Sequence, residues 1–298
     1  MVSHTDYDID RATAWCPGCG NIAILNALKR ALPEAGLAPH EVALITGIGQ
    51  APKTFDYMHI CGFNGLHGRP LPVATGFRLA NHGMKVIVGH GDGDAYGEGG
   101  NHFLHSARRN IGLLDIVHNN QIYALTKGQF SPTTQLGRVT PTSPEGSSER
   151  PMNALALALS QGATFVARSY SFDLRHMVKM IVAGLNHRGY ALLEIMQVCV
   201  TFNRAMDNNF YRERVYDLEQ DGHDPADWDA ALKKAYEWPA TERIPIGIYY
   251  QNETVPAYEE SQPALAAGPL VEQPLDARPR GAYRALLDEL LVAPPERR

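Results

Sequence analysis

Cysteine is scarce in this sequence, with four among 298 residues, at positions 16, 19, 61 and 199. A chain this long can close a core of its own, so a disulfide-stapled secreted scaffold is excluded. Surplus positive charge is missing too. Lys and Arg number 27 against 32 Asp and Glu, a net charge of −5, which leaves no basic footprint for nucleic acid. Long apolar runs are absent. The longest uncharged stretches, residues 12–28 and 151–167, are too short and too broken by polar groups to span a bilayer. The opening segment MVSHTDYDIDRATAW has no apolar h-region, so no secretory signal is expected. With 44% hydrophobic residues the chain is too apolar for disorder. These exclusions leave a soluble, cytoplasmic globular protein as the expectation.

What the sequence does hold is glycine at informative places. Cys16-Pro-Gly-Cys19 is a CxxC, open to three readings: a redox dithiol, metal ligands, or two core thiols. No strand precedes it, which disfavours the dithiol. Behind it Ile22, Leu25, Leu28 and Leu32 recur at helical spacing, so a helix starts just after the cysteines and points its N–H groups at whatever they hold. Val42–Thr46 reads as a buried strand ending in Gly47-Ile-Gly49-Gln50, and residues 51–72 read as loop. Lys85–Gly89 is a strand, Gly91-Asp92-Gly93-Asp94 opens a glycine-rich turn, residues 101–110 form a helix, and Leu113–Val117 is a second strand ending in Asn119-Asn120. A right-handed βαβ crossover sets the C-terminal ends of these two strands side by side. Further helices are expected over residues 151–161 and after a cap at Asp173, with strands over 163–167, 190–198 and 244–250. The pattern is α/β, a doubly wound and mostly parallel sheet. Residues 1–250 form the domain, and 251–298 a C-terminal extension with a short helix near 282–291.

A glycine-rich strand-to-helix turn suggests a dinucleotide site, but two details oppose it. Asn119-Asn120 stands where a ribose-binding acid is wanted, and Asp92 inside the turn would repel a pyrophosphate. A divalent cation between them removes the conflict. One carboxylate, amide or carbonyl oxygens and phosphate oxygens make an octahedral Mg²⁺ site, which Asp92 and Asn120 suit. The plainer alternative is that both residues only satisfy their own turns.

Gly91-Asp92-Gly93 and, 27 residues after Asp92, Asn119-Asn120 look like the thiamine diphosphate motif. Together with Trp15-Cys-Pro-Gly-Cys19-Gly, Leu66-His-Gly-Arg69, Ala74-Thr-Gly76, Gly99-Gly-Asn-His102, Ala107-Arg-Arg-Asn-Ile111, Gln121-Ile-Tyr-Ala-Leu-Thr126 and Cys199-Val-Thr-Phe-Asn203, the sequence resembles the β subunit of 2-oxoacid:ferredoxin oxidoreductases. The resemblance covers residues 12–250 and implies a thiamine diphosphate-binding fold. It implies that Asp92, Asn120 and the Ile122 carbonyl hold Mg²⁺, and that Gly49, His67, Gly91, Gly93, Asp94 and Leu125 border the cofactor. Lys53 and Lys127 would bind the 2-oxoacid carboxylate, with a solvated surface ammonium as the alternative for each, and His67 would act beside the cofactor. His102, His105 and His118 read as structural. Cys16, Cys19 and Cys199 would carry a 4Fe–4S cluster.

The implied reaction is CoA-dependent oxidative decarboxylation of a 2-oxoacid, with electrons leaving through the cluster to ferredoxin. The two lysines lean the substrate towards 2-oxoglutarate, giving succinyl-CoA. An α subunit would supply the pyrimidine-binding domain and its acid, in an (αβ)2 heterotetramer. One position departs from the family. Members carry Gly-Ile-Gly-Cys after the first strand, and this chain has Gln50. Cys61 is the remaining cysteine, and a loop of eleven residues spans back easily at ~3.3 Å per residue, so Cys61 is expected as the fourth ligand. Two other classes stay open: a cluster-free thiamine decarboxylase or carboligase subunit, and a non-catalytic adapter holding structural zinc.

Overall fold

A computed structural model describes residues 2–274 and 281–291; of the expected extension, 275–280 and 292–298 therefore lie outside the described residues. Eight strands form one sheet: β1 (Val42–Thr46), β2 (Cys61–Asn64), β3 (Lys85–Gly91), β4 (Leu113–Asn119), β5 (Phe165–Tyr170), β6 (Tyr190–Met196), β7 (Val215–Asp217) and β8 (Ile244–Gln251). Their order is β2-β1-β3-β4-β6-β5-β8-β7. Every pair is parallel except β5 with β8. The central strands are buried along their whole length, as an apolar strand covered on both faces must be.

Helices cover the two faces. On one side α1 (Gly20–Glu34) sets Ile24, Leu28 and Ala31 against Leu44 and Ile87. The same apolar cluster takes in Met177 and Ile181, which lie four apart on one flank of the helix Leu174–Asn186. That helix is capped by Asp173, whose side chain accepts from the His176 N–H. On the other side α2 (Pro70–Ala80), α3 (Gly100–Arg109) and the helix Ala154–Ser160 bury Leu71, Phe103, Ala107 and Leu155 against Val86, Val88 and Leu192. The doubly wound α/β expectation is met.

The segment read as loop, 51–72, is more ordered than expected. It holds a 3-10 turn over Ala51–Tyr57, edge strand β2, and the start of α2. Pro70 and Pro72 stand in the first turn of α2, where a missing N–H costs nothing. The expected strands over 85–89 and 113–117 each run two residues further, and that over 163–167 shifts to Phe165–Tyr170. Beyond β8 the chain folds back towards α2 and β4. Glu259, buried, takes the Arg78 guanidinium at 2.6 Å and the Gly112 N–H at 3.0 Å, tying the extension to α2 and to the start of β4. No helix among the described residues is long and apolar enough to cross a membrane.

Candidate active site

The C-terminal ends of β1, β3, β4 and β6 meet at one edge of the sheet, where open α/β sheets bind ligands. Between β3 and α3 the chain takes a wide π-helical turn over Gly93–Glu98, a widening that recurs at functional sites. Glycine is required there by close approach. A Cβ on Gly93 would stand 2.1 Å from the Tyr123 ring, and one on Gly47, just past β1, would stand 2.0 Å from Asp94 Oδ2.

Asp92 is buried at the head of this turn. Its Oδ2 accepts the Ser131 hydroxyl at 2.5 Å and the Thr133 hydroxyl at 2.7 Å, and among the described residues no side-chain donor meets Oδ1. Burial pushes the carboxyl up to about 6, more than the two hydroxyls pull it down. A buried anion that costs this much is what a divalent cation compensates. On the neighbouring strand end Asn120 Oδ1 accepts the Ile122 N–H at 3.0 Å, and its amide donates to Gln197 at 2.8 Å. Gln121 takes a left-handed φ of 59°, which curls the chain so that Asn120 and Ile122 border the same cavity as Asp92. Among the described residues no donor meets the Ile122 carbonyl. One carboxylate, one amide oxygen and one free carbonyl suit Mg²⁺.

That cavity is also lined by Gly49, His67, Gly91, Gly93, Asp94 and Leu125. His67 Nδ1 lies 2.6 Å from Asp94 Oδ1, which also accepts the Gly68 N–H. Asp94 Oδ2 is buried without a hydrogen-bond partner, an acceptor still to be filled.

A second cavity adjoins the first and shares Gln50, Asn120 and Ala124 with it. Cys16, Cys19 and Cys199 line it. Cys19 is the N-cap of α1, so the positive end of that helix lies at this cavity; Gln197 donates to its sulfur at 3.5 Å. Burial pushes the Cys19 thiol up to about 11, and the nearby Cys199 and Cys16 sulfurs push the same way. Cys16 Sγ lies 3.1 Å from the Thr201 hydroxyl. Among the described residues no three His, Cys, Asp or Glu side chains close on a single metal ion; the thiols stand around a space instead. Three soft sulfur ligands about one void suit an iron–sulfur cluster better than a lone hard cation.

Three expected residues are not brought to either cavity. Cys61 is exposed on edge strand β2, where parallel pairing with β1 sets it beside Ala43, three residues short of the Thr46–Asn64 end. Gln50 lines the thiol cavity instead. Lys53 lies half-buried on the 3-10 turn, and Lys127 is exposed on its loop with φ 79°. Of the histidines read as structural, His118 is buried, facing Asn21 across β4 and α1.

Ser131, Thr133, Gln197 and Glu194 also belong to the site and are absent from the sequence-based expectations. Glu194 accepts from Asn119, the neighbour of Asn120, at 3.0 Å and pairs with Arg168 at 2.8 Å, both buried. The hydroxyl run Ser131-Pro-Thr133-Thr134 is the available signal for the first two.

Sheet topology, turn and oxygen set together define a thiamine diphosphate-binding α/β enzyme domain. Residues 36–195 match the family described as thiamine pyrophosphate enzyme, C-terminal TPP binding domain, and residues 199–267 match the family for the C-terminal part of the pyruvate ferredoxin oxidoreductase beta chain. The 2-oxoacid:ferredoxin oxidoreductase subunit beta of Saccharolobus solfataricus is 42% identical over 262 residues, covering 83% of this chain and 84% of that one. The 2-oxoglutarate oxidoreductase subunit KorB of Mycobacterium tuberculosis is 44% identical over 198 residues, 66% of this chain and 53% of that one. A solved 2-oxoglutarate:ferredoxin oxidoreductase from Magnetococcus marinus, with 2-oxoglutarate, coenzyme A and succinyl-CoA bound, superposes with a TM-score of 0.88 at 33% identity, covering 96% of each chain. The chain belongs to the β subunits of the 2-oxoacid:ferredoxin oxidoreductases, an oxidoreductase family.

Proposed function

We propose that this chain is the catalytic β subunit of a 2-oxoglutarate:ferredoxin oxidoreductase. The observation that carries the reading is the pair of adjoining cavities, one lined by oxygen ligands and one by thiols, with Gln50, Asn120 and Ala124 between them. Thiamine diphosphate, when bound, would supply the electron sink for decarboxylation, and a 4Fe–4S cluster would supply one-electron transfer. The chain's own part is to place them. Asp92, Asn120 and the Ile122 carbonyl would hold Mg²⁺ against the diphosphate, and Ser131 and Thr133 fix the Asp92 carboxylate through its other oxygen. His67, held on Asp94, would face the cofactor as a donor whose ring the carboxylate orients. Cys16, Cys19 and Cys199 would hold the cluster.

The substrate assignment is supported by the names of the KorB relative and of the Magnetococcus structure. It does not draw on Lys53 or Lys127, which line neither cavity. An α subunit is the proposed partner. Phe63, near the end of β2, and Leu66, next to His67, expose 53% and 75% of their surface, as an unfilled interface does. Coenzyme A and ferredoxin complete the reaction.

The test is to co-purify the chain with its α partner and follow CoA-dependent viologen reduction on 2-oxoglutarate, pyruvate, branched-chain and aryl 2-oxoacids. Fastest turnover on 2-oxoglutarate supports the reading. Turnover on pyruvate alone removes the substrate assignment, CoA-independent decarboxylation points to a cluster-free decarboxylase, and zinc in place of iron and sulfide points to an adapter.

A further inference from the structure

We infer that the thiol cavity binds its cluster through three cysteines, with the Gln50 side-chain amide at the fourth iron. The inference rests on the cluster reading above and concerns what this chain does differently. Cys16, Cys19, Cys199 and Gln50 line one cavity. Gln50 is held there by its backbone carbonyl, which accepts the Trp15 indole N–H at 2.9 Å. Trp15 in turn stands edge-on to Tyr57 at 4.8 Å and immediately precedes Cys16, so the glutamine and the CxxC are braced by one residue. The Gln50 Oε1 atom is buried and has no hydrogen-bond partner. A buried amide oxygen left unpaired is costly, and an electrophile in the cavity would relieve it.

Cys61 does not compete for the position. It sits on β2 beside Ala43, roughly 10 Å of strand from the end that faces the cavities, on the exposed edge of the sheet. Bringing its sulfur to the other three would unpair β2 from β1.

An amide oxygen is a harder and weaker ligand for iron than a thiolate. The iron at Gln50 is therefore the one the cluster gives up. The step balances as one 2+ four-iron cluster going to one 1+ three-iron cluster, one Fe²⁺ and one electron, the electron passing to an outer-sphere oxidant such as ferricyanide. Added Fe²⁺ and a one-electron reductant reverse it. The cavity thus makes electron transfer in this enzyme sensitive to oxidant and to ferrous iron at one named corner.

The test uses the anaerobically purified complex of this chain with its α partner, titrated with ferricyanide and followed by iron and sulfide analysis and low-temperature EPR. The wild type is expected to release one iron per cluster with sulfide retained, to show the signal of an oxidised three-iron cluster, and to recover the fourth iron with Fe²⁺ and dithionite. Gln50→Cys is expected to keep four irons under the same treatment, and Cys61→Ser to behave as the wild type. A wild type that keeps four irons overturns the inference. So does Cys61→Ser if it alone becomes iron-labile, which would make Cys61 the ligand. A complex prepared without iron or sulfide fails at the cluster reading itself, and the two failures are told apart by the first iron analysis.

Discussion

At the scale of single residues, the site is a set of oxygens and sulfurs whose states depend on what surrounds them. Asp92 is the clearest case. It is buried, its carboxyl stands at about 6, and one oxygen is committed to Ser131 and Thr133. In the proposed function a divalent ion compensates its charge. Asp92→Asn keeps the shape of the side chain but loses the anion, so Mg²⁺-dependent thiamine diphosphate affinity should fall by at least about 10- to 100-fold, the loss seen when even a metal ligand's support goes. Calorimetry with the diphosphate and Mg²⁺ measures it, and unchanged affinity would remove Asp92 from the metal site. Asp92 and Asn120 are legible in the sequence because their chemistry conflicts with a dinucleotide site and agrees with a bridging cation. Ser131 and Thr133 are not, because they reach Asp92 from a loop 39 and 41 residues away whose path no local pattern encodes. That Cys61 lies on β2 beside Ala43, outside the thiol cavity, is not legible for a related reason. Chain length permits a loop to reach, but strand pairing decides where it goes.

At the scale of elements, β3, α3 and β4 follow from alternation of apolar strand and amphipathic helix, as does the Asp173 cap. The short edge strand β2 does not. Its four residues are exposed and include Gly62, so they carry no burial pattern to read. Proline at 70 and 72 suggests loop, although in the first turn of α2 it favours a helix start. Behind the site, β5 and β6 are joined through the buried Arg168–Glu194 pair, with Arg168 also donating to the Tyr249 hydroxyl on β8 at 2.9 Å. Arg168→Met would leave Glu194 buried without its counter-ion, and should cost about 3–5 kcal/mol in urea unfolding. A loss of about 1 kcal/mol or less, the size of a surface pair, would show that Glu194 finds water there. A second element-scale prediction concerns pH. His187, at the end of the helix Leu174–Asn186, faces the Thr164 hydroxyl at 2.7 Å, and burial lowers its pKa to about 4. A lowered histidine is neutral in the fold and protonated sooner in the unfolded chain. Its contribution is therefore whole above pH ~6.5 and drains away as pH falls towards 4. The melting temperature of the wild type should drop more steeply across that window than that of His187→Gln, and parallel curves would assign the acid sensitivity elsewhere.

At the scale of the whole molecule, one α/β domain presents two adjoining cavities at the same edge of its sheet and leaves Phe63 and Leu66 exposed beside His67. The chain alone should show turnover below about 1% of the complex with an α subunit, since positioning groups from a second domain are worth several orders of magnitude. Comparable rates from the isolated chain would mean that the site is complete without a partner. In the proposed function the oxygen-lined and thiol-lined cavities form one electron path. The most direct measurement of that path is the EPR signal of the reduced cluster in the anaerobic complex, recorded after 2-oxoglutarate and coenzyme A are added with ferredoxin withheld. A reduced-cluster signal is expected in the wild type and none in Asp92→Asn. A signal of equal size in Asp92→Asn, or none in a wild type shown to carry iron and sulfide, would contradict a shared path.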